Sequence, residues 1–255
     1  MKYIFNFIRS FILDIRFILS RQVPLGSLPY FLRINLVKKI LYRNIRTTYS
    51  AEFSKWLRVK KDLSLSNDWF SSHVPFWLSA IKDYDLRDKH LKVLEIGSWE
   101  GLSSFFILSE IPNAYLTCVD TWEGSVEHKS YNFASEFNLL NIEKTFDENM
   151  SLFESRFTKF KGTSLSFFSN NSNSQKFDFI YVDGSHEFND VLNDIFSSFQ
   201  LLKIGGILVM DDYFWNFHDN SRLNSMVAIN FFLRVQKGYY KIIFVTTQVA
   251  IIKTG

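Results

Sequence analysis

The feature that most constrains this chain is a repeated way of ending strands. The apolar runs LKVLEIG (91–97), AYLTCVD (114–120), FDFIYVD (177–183) and GGILVMDD (205–212) each stop on glycine or aspartate. Helical patterning lies between and after them, from about 102, near 145–155, near 188–202 and near 222–236, with a weaker strand expected around 157–168. Runs this apolar are buried on both faces, so alternation with helices implies an α/β fold around a mostly parallel, Rossmann-like sheet. The last two runs, YKIIFVTT and QVAIIK (240–253), are separated by too little chain for a crossover and imply an antiparallel C-terminal edge. The Ser/Asn run SNNSNSQ (169–175) reads as a surface loop.

Ahead of the sheet, residues 67–90 read as a helical lead-in carrying Trp69, Phe70, Phe76, Trp77, Leu78 and Ile81. The division expected is a basic, helical N-terminal region over 1–60 and a catalytic domain over 61–255 whose lead-in is 61–90. A single cysteine, Cys118, lies in an apolar run and cannot form an internal disulfide, which suits a reducing, cytoplasmic setting.

The net charge of +3 is unevenly spread: residues 1–50 hold nine Lys/Arg against one acid, leaving −5 over 51–255. On a helical wheel, segment 3–21 places Phe7, Phe11, Ile15 and Ile18 on one face and Arg9, Asp14, Arg16 and Arg21 on the other. Those charges interrupt any membrane span, and no small-residue cleavage site follows. Two readings fit the segment. It lies in a membrane interface, helped by Lys38, Lys39, Arg43 and Arg46, which would put the protein at the inner face of a membrane; or it packs on protein, including a second copy in a homo-oligomer.

Ligands of open α/β sheets sit beyond the carboxyl ends of the strands. The first strand here ends VLEIGSWEG, a Gly-x-x-x-Gly spacing, not the Gly-x-Gly-x-x-Gly that lets a backbone approach a pyrophosphate. A nicotinamide oxidoreductase is therefore disfavoured, although the turn still admits a small ligand. Asp120, at the end of the second strand, is placed to accept from both hydroxyls of a ribose.

With VLEIGSWEG, CVDTWEG, FDFIYVDGSH and LLKIGGILVMDDY in this order, the chain resembles the class I S-adenosylmethionine-dependent methyltransferases, over roughly residues 67–253. The resemblance is to the branch with Asp-Gly-x-His and Asp-Asp-Tyr motifs that includes O-methyltransferases of macrolide sugars. It implies that Glu95, Gly97, Ser98 and Gly101 line the methionine end of S-adenosylmethionine and that Asp120, with Thr121 and Trp122, holds the ribose. It further implies that Gly162, Thr163 and Ser164 border the adenine and that Asp183 touches the cofactor. Glu95 as a cap on the next turn, and Trp122 as packing for the cofactor loop, are the structural alternatives.

A sulfonium donor is already activated, so the harder task is to make an alcohol nucleophilic, by a base or by a metal ion. Asp183 ends one strand and Asp211 and Asp212 end its neighbour, so three carboxylates converge at one sheet edge. Such a cluster invites a cation, and hard oxygen ligands suit Mg²⁺. His186, on the Asp183 loop, then takes the substrate proton. The competing expectation is that Asp183 and Asp212 are caps and His186 a solvated loop residue. His73, His90, His128 and His218 show no comparable partners, although His218 and Tyr213 lie close enough in sequence to reach the same rim.

The expected function is transfer of a methyl group to a hydroxyl of a small molecule, sugar or glycan, with metal-assisted general-base catalysis. A metal-independent small-molecule methyltransferase and a non-catalytic, membrane-associated scaffold of the same fold are the alternatives. Nucleic acid is not an expected partner: the fourth strand ends VDGSH, not in an Asn/Asp-Pro-Pro-aromatic run, and the catalytic domain is acidic. Deleting residues 1–21 is expected to leave donor binding intact and to reduce sedimentation with anionic vesicles. Equal partitioning of truncated and full-length chains would make the helix a packing or oligomerisation element.

Overall fold

A computed structural model describes residues 44–124, 139–171, 176–215, 218 and 220–255; the amphipathic segment 3–21 and the cationic residues up to Arg43 lie outside them. In chain order the elements are α1 (Ser50–Val59), α2 (Val74–Asp83), β1 (Leu91–Ile96), α3 (Leu102–Glu110), β2 (Ala114–Asp120), α4 (Ile142–Met150) and β3 (Phe157–Lys161). They continue with α5 (Ser164–Asn171), β4 (Phe177–Val182), α6 (Phe188–Leu201), β5 (Leu202–Met210), α7 (Ser225–Val235), β6 (Tyr240–Val245) and β7 (Val249–Lys253).

Seven strands form one sheet in the order β3-β2-β1-β4-β5-β7-β6. The first five are parallel, and β7 runs antiparallel to both β5 and β6. The arrangement is the Rossmann-like sheet of class I methyltransferases, mostly parallel with an antiparallel C-terminal edge and helices before it. Strand order reverses between β1 and β4, where a crevice opens beyond the carboxyl ends.

Alternation along the central strands feeds two cores. Val93, Ile207 and Val209 face a cluster with Trp77, Phe106 and Phe146 from α2, α3 and α4. Leu94, Ile96, Leu208 and Met210 face a second cluster with Ile195 and Phe232 from α6 and α7. This two-sided burial explains why the strands are legible as continuous apolar runs.

Two elements differ from expectation. The lead-in is helical only from Val74, with Pro75 in the first turn where its missing N–H does no harm, after a 3₁₀ turn at Ser71–His73. The run 157–168 is a strand only to Lys161; from Ser164 it is helix, and that helix absorbs Ser169, Asn170 and Asn171 of the expected loop. Residues 172–175 lie outside the described residues.

The crevice depends on a close approach between two strand ends. Asp183 donates its N–H to the Ile96 carbonyl at 2.8 Å, and Gly97 donates to the Val119 carbonyl at 2.8 Å. A Cβ on Gly97 would lie 1.9 Å from the Asp183 carbonyl oxygen, and Gly97 also holds φ +85°. Gly205 has a similar φ of +81°, but an added Cβ there meets nothing within 4 Å. Gly205→Ala is therefore expected to cost only the strain of a left-handed alanine, about 1–2 kcal/mol. Gly97→Ala is expected to cost more than twice that or to prevent folding, and paired chemical denaturation of the two variants measures the difference.

Candidate active site

Beyond the ends of β1, β2 and β4 lies a cavity of about 520 Å³. Its wall brings together Gly97, Ser98, Asp120, Thr121, Asp183 and His186 from the strand ends. Gly162, Thr163 and Ser164, after β3, line it too. Of the residues singled out in the sequence for the cofactor, Glu95, Gly101 and Trp122 do not line it.

Glu95 is fully buried, and its carboxylate accepts hydrogen bonds from Ser98 (2.7 Å), Ser103 (2.6 Å) and Ser104. Burial pushes this carboxyl above the usual range, with the serine hydroxyls pulling it back. Glu95 thus ties the β1–α3 turn and the first turn of α3 to the strand. Gly101 begins α3 at φ 84° and sits against Phe146 and Met150. Trp122 is buried, donates its indole N–H to the Trp99 carbonyl at 3.0 Å and packs on Phe146 at 5.1 Å between ring centroids.

Asp120 organises the cavity's central wall. One carboxylate oxygen accepts from the backbone N–H groups of Ser98 and Trp99, both at 2.8 Å, and the other from that of Trp122 at 2.7 Å. Trp99 and Trp122 both hold positive φ, 46° and 53°, a conformation unfavourable for bulky residues. The carboxylate therefore holds two strained loops in place, and of roughly four acceptor positions it keeps one for a ligand.

Where the β4–α6 loop borders the cavity, ligand atoms of Asp183, His186 and Asp212, all half-buried, lie within 4.8 Å of one another. His186 Nε2 is 2.8 Å from Asp212 Oδ2, and the Trp215 ring stacks on the imidazole at 4.9 Å and 30°. Asp212 reaches this position through a left-handed backbone, φ 58°. Asp211, expected as a third carboxylate ligand, points elsewhere: it accepts from Tyr181 and Gln248 on one oxygen and from the Asp212 N–H on the other. Asp183 does not cap α6, whose N-cap is Glu187; it accepts from the Tyr181 hydroxyl at 2.8 Å.

Burial pushes the Asp183 carboxyl well above the usual carboxylate range, and the charges of Asp211 and Asp212 push the same way. Burial raises Asp211 as well. Tyr181 has one hydroxyl proton to offer two carboxylates; Gln248 and the Asp212 N–H also serve Asp211, so Asp183 is the carboxylate that a shared proton or a cation would most relieve. Beside it is a recess of about 10 Å³ where Asp183, Asp211, Asp212 and Ser225 meet the apolar Val191, Ile195 and Met210, and His186 does not line it. The Asp183–His186–Asp212 donor set by itself fits a hard divalent ion.

Some contributors escaped the sequence reading. Leu65, Asn67 and Trp69 of the lead-in form one wall, held there because Ser66 donates through its N–H and hydroxyl to Glu100 at 2.7 and 2.9 Å. Asp190 and Asp194 of α6 form another part. His73 is buried beside Asp211, with Nδ1 3.5 Å from the Thr247 hydroxyl, and His218 Nε2 lies 3.2 Å from Glu187. Tyr213 is fully buried on Asn230, so it does not reach the rim.

Asp120→Ala would strand three backbone donors at once. It is expected to lower unfolding free energy by about 1–3 kcal/mol in a denaturant titration without any ligand. Unchanged stability would show that the loops hold their shape without this carboxylate.

Comparison with known proteins agrees with the architecture. Residues 94–213 match the family described as a methyltransferase domain, Methyltransf_24. No curated protein sequence matches the chain. Among solved structures, the MycE methyltransferase of mycinamycin biosynthesis, in complex with Mg, S-adenosylhomocysteine and mycinamycin VI, is similar at TM-score 0.53 and 17% identity. That match covers 80% of this chain and 54% of MycE, so the present chain spans about half the length of that relative. An O-methyltransferase from Bacillus cereus in complex with S-adenosylhomocysteine superposes at TM-score 0.51 and 15% identity, over 80% of this chain and 91% of that one. The O-methyltransferase TomG from Streptomyces achromogenes, in complex with S-adenosylmethionine, does so at 0.50 and 14%, over 80% and 89%. With the sheet order, the crevice at its switch point and the match over 94–213 together, the chain has the fold of the class I methyltransferases, and residues 94–213 within it are similar to a methyltransferase domain.

Proposed function

We propose that the protein is an S-adenosylmethionine-dependent O-methyltransferase acting on a hydroxyl of a small molecule, sugar or glycan, with metal-assisted general-base catalysis. The observation that carries this reading is the Asp183–His186–Asp212 cluster at one end of the 520 Å³ cavity. When bound, a sulfonium donor supplies an activated methyl group, and a divalent cation held by Asp183 and Asp212 lowers the pKa of a nearby hydroxyl. The relatives bound to Mg and to S-adenosylhomocysteine or S-adenosylmethionine support both assignments.

On this reading Gly97 and Ser98 border the methionine portion, Asp120 offers its remaining acceptor position to the ribose, and Gly162, Thr163 and Ser164 border the adenine. His186 donates Nε2–H to Asp212, which leaves Nδ1 as the nitrogen that takes the hydroxyl proton as the new O–CH₃ bond forms and the S–CH₃ bond breaks. Trp215, stacked on the imidazole, fixes the ring plane. Trp69, 51% exposed and 5.7 Å from the Trp99 ring, and Trp215, 42% exposed, offer broad apolar faces at the rim, as a sugar ring requires.

A metal-independent version has its own support, because a His186–Asp212 pair at 2.8 Å is by itself an oriented base. The basic segment 1–50 belongs to the proposal as a peripheral contact at a membrane's inner face or as an oligomer contact, and the division at residue 60 stands with it. Among the described residues, no helix is long and apolar enough to cross a membrane.

EDTA is expected to abolish methyl transfer to a hydroxyl acceptor panel and Mg²⁺ to restore it, with Asp183→Asn reproducing the loss. His186→Ala is expected to keep donor binding while turnover falls about 10²–10⁴-fold, partly recovered at higher pH. Full activity in EDTA with an inactive His186→Ala selects the metal-independent pair; full activity of His186→Ala removes the mechanism.

A further inference from the structure

Charge beyond residue 50 is divided in a way the active site does not use. Residues 51–220 hold fifteen Lys/Arg against twenty-five Asp/Glu, whereas residues 221–255 hold five Lys/Arg and no acid. That last stretch builds α7, β6 and β7, and β6 is the outermost strand of the sheet. The helix is apolar on both sides. Ala228, Ile229, Phe232 and Leu233 are buried in the core shared with α6, while Phe231 and Val235, one turn apart on the outer side, are 49% and 52% exposed. A surface helix keeps its outer stripe polar when water is its only neighbour, so this stripe points to something that covers it.

The exposed apolar positions continue around one corner of the molecule. Tyr239, 54% exposed, follows the helix in the turn into β6; its carbonyl accepts the Thr254 N–H at 2.8 Å, and a Cβ on Gly255 would lie 3.3 Å from its ring. Lys253 ties the same corner to the start of β5, donating to the Phe199 and Leu202 carbonyls at 2.7 and 3.0 Å, and there Ile204 stands 72% exposed. Cations are set between these side chains: Arg234, Lys237 and Lys241 alternate with the apolar residues along the chain and are exposed. Lys203, next to Ile204, pairs with Asp178 at 2.8 Å. Because β7 runs antiparallel to β5 and β6, β6 starts at the amino end of the parallel strands. The corner therefore lies away from the cavity, which opens beyond their carboxyl ends.

We propose that this corner, formed by the outer side of α7, the turn at Tyr239 and the tip at Ile204, docks on an anionic lipid bilayer. Half-exposed apolar side chains set singly among Lys and Arg match the boundary between headgroups and acyl chains, with the cations at the lipid phosphates and the apolar groups just below them. A second copy is a poor occupant, because two such faces would bring ten cations together with no acid between them, and Lys241 guards the open edge of β6. Stable peripheral anchoring takes two signals, and the basic amphipathic sequence of residues 3–21 supplies the other. Docked by this corner, the protein turns its cavity towards water. The assignment holds whatever the cavity binds.

The test is co-sedimentation of the full chain with vesicles of phosphatidylcholine alone and of phosphatidylcholine with about 30% phosphatidylserine. The wild type is expected to partition about 10-fold or more in favour of the anionic vesicles. Phe231→Gln combined with Val235→Gln, and separately Lys237→Glu combined with Lys241→Glu, are each expected to lower that partition by about 10-fold or more, an effect that stays visible beside any contribution of residues 3–21 because partition factors multiply. All four positions are exposed, thermal melting checks that both pairs fold, and either pair carries the test if the other does not. Absent or equal partition of the wild type into the two vesicle types overturns the assignment, as does undiminished partition of the folded variants. A doubled mass in light scattering that the variants abolish, with no vesicle binding, gives the face to a second copy and overturns it too.

Discussion

The close approach of β1 to the β4 loop at Gly97 is the constraint on which the rest of the site depends. Two parallel strands end level with each other, and the Asp183 carbonyl occupies the space a side chain at 97 would need. Because the loops meet there, the β1–α3 turn and the Asp183–His186 loop face each other across one cavity and are not separate surface features. The glycine is needed for proximity as much as for its positive φ, and Gly205, with a similar φ and open space around it, shows that the two requirements are separable.

Around that seam the acidic residues divide by what satisfies them. Glu95 is surrounded by hydroxyl donors and does architectural work, while Asp120 takes three backbone amides and keeps one acceptor position open. Asp183 and Asp212 meet an imidazole and each other's charge. Residue type alone does not separate these roles. Partner supply does: a carboxylate whose donors are all internal is part of the frame, and one with donors missing is open to ligand chemistry.

Much of this was legible in the chain, and the failures have physical reasons. The strands could be read because two-sided burial demands unbroken apolar runs, and the antiparallel edge because QVAIIK follows YKIIFVTT too closely for a crossover. The serine partners of Glu95 could have been foreseen, because period-two alternation puts it on the same face as Val93, under α3, where the serines of SWEGLSS wait. Asp194 also left a trace: three residues after Val191 and one before Ile195, it falls on the apolar stripe of an amphipathic helix. The exchange of Asp211 for His186 in the cluster had no such trace, since it depends on a left-handed turn at Asp212 that no glycine marks. The 3₁₀ turn and late start of α2 follow from Pro75, but the cavity wall made by Leu65 and Trp69 follows from a long-range bond to Glu100 that no local pattern reveals.

One polar chain joins distant parts of the sequence. Trp77, on α2, donates its indole N–H to Gln248 at 2.8 Å, and Gln248, in the β6–β7 turn, donates to Tyr181 and Asp211. Trp77 also packs edge-on against the Tyr181 ring at 4.9 Å. Both Trp77 and Gln248 fall outside residues 94–213, the span by which the domain is recognised. The recognisable module is thus smaller than the unit that shapes its own acidic floor. Grafting or trimming at the module's borders would carry Asp183 and Asp211 along while leaving behind the two residues that orient the phenol between them.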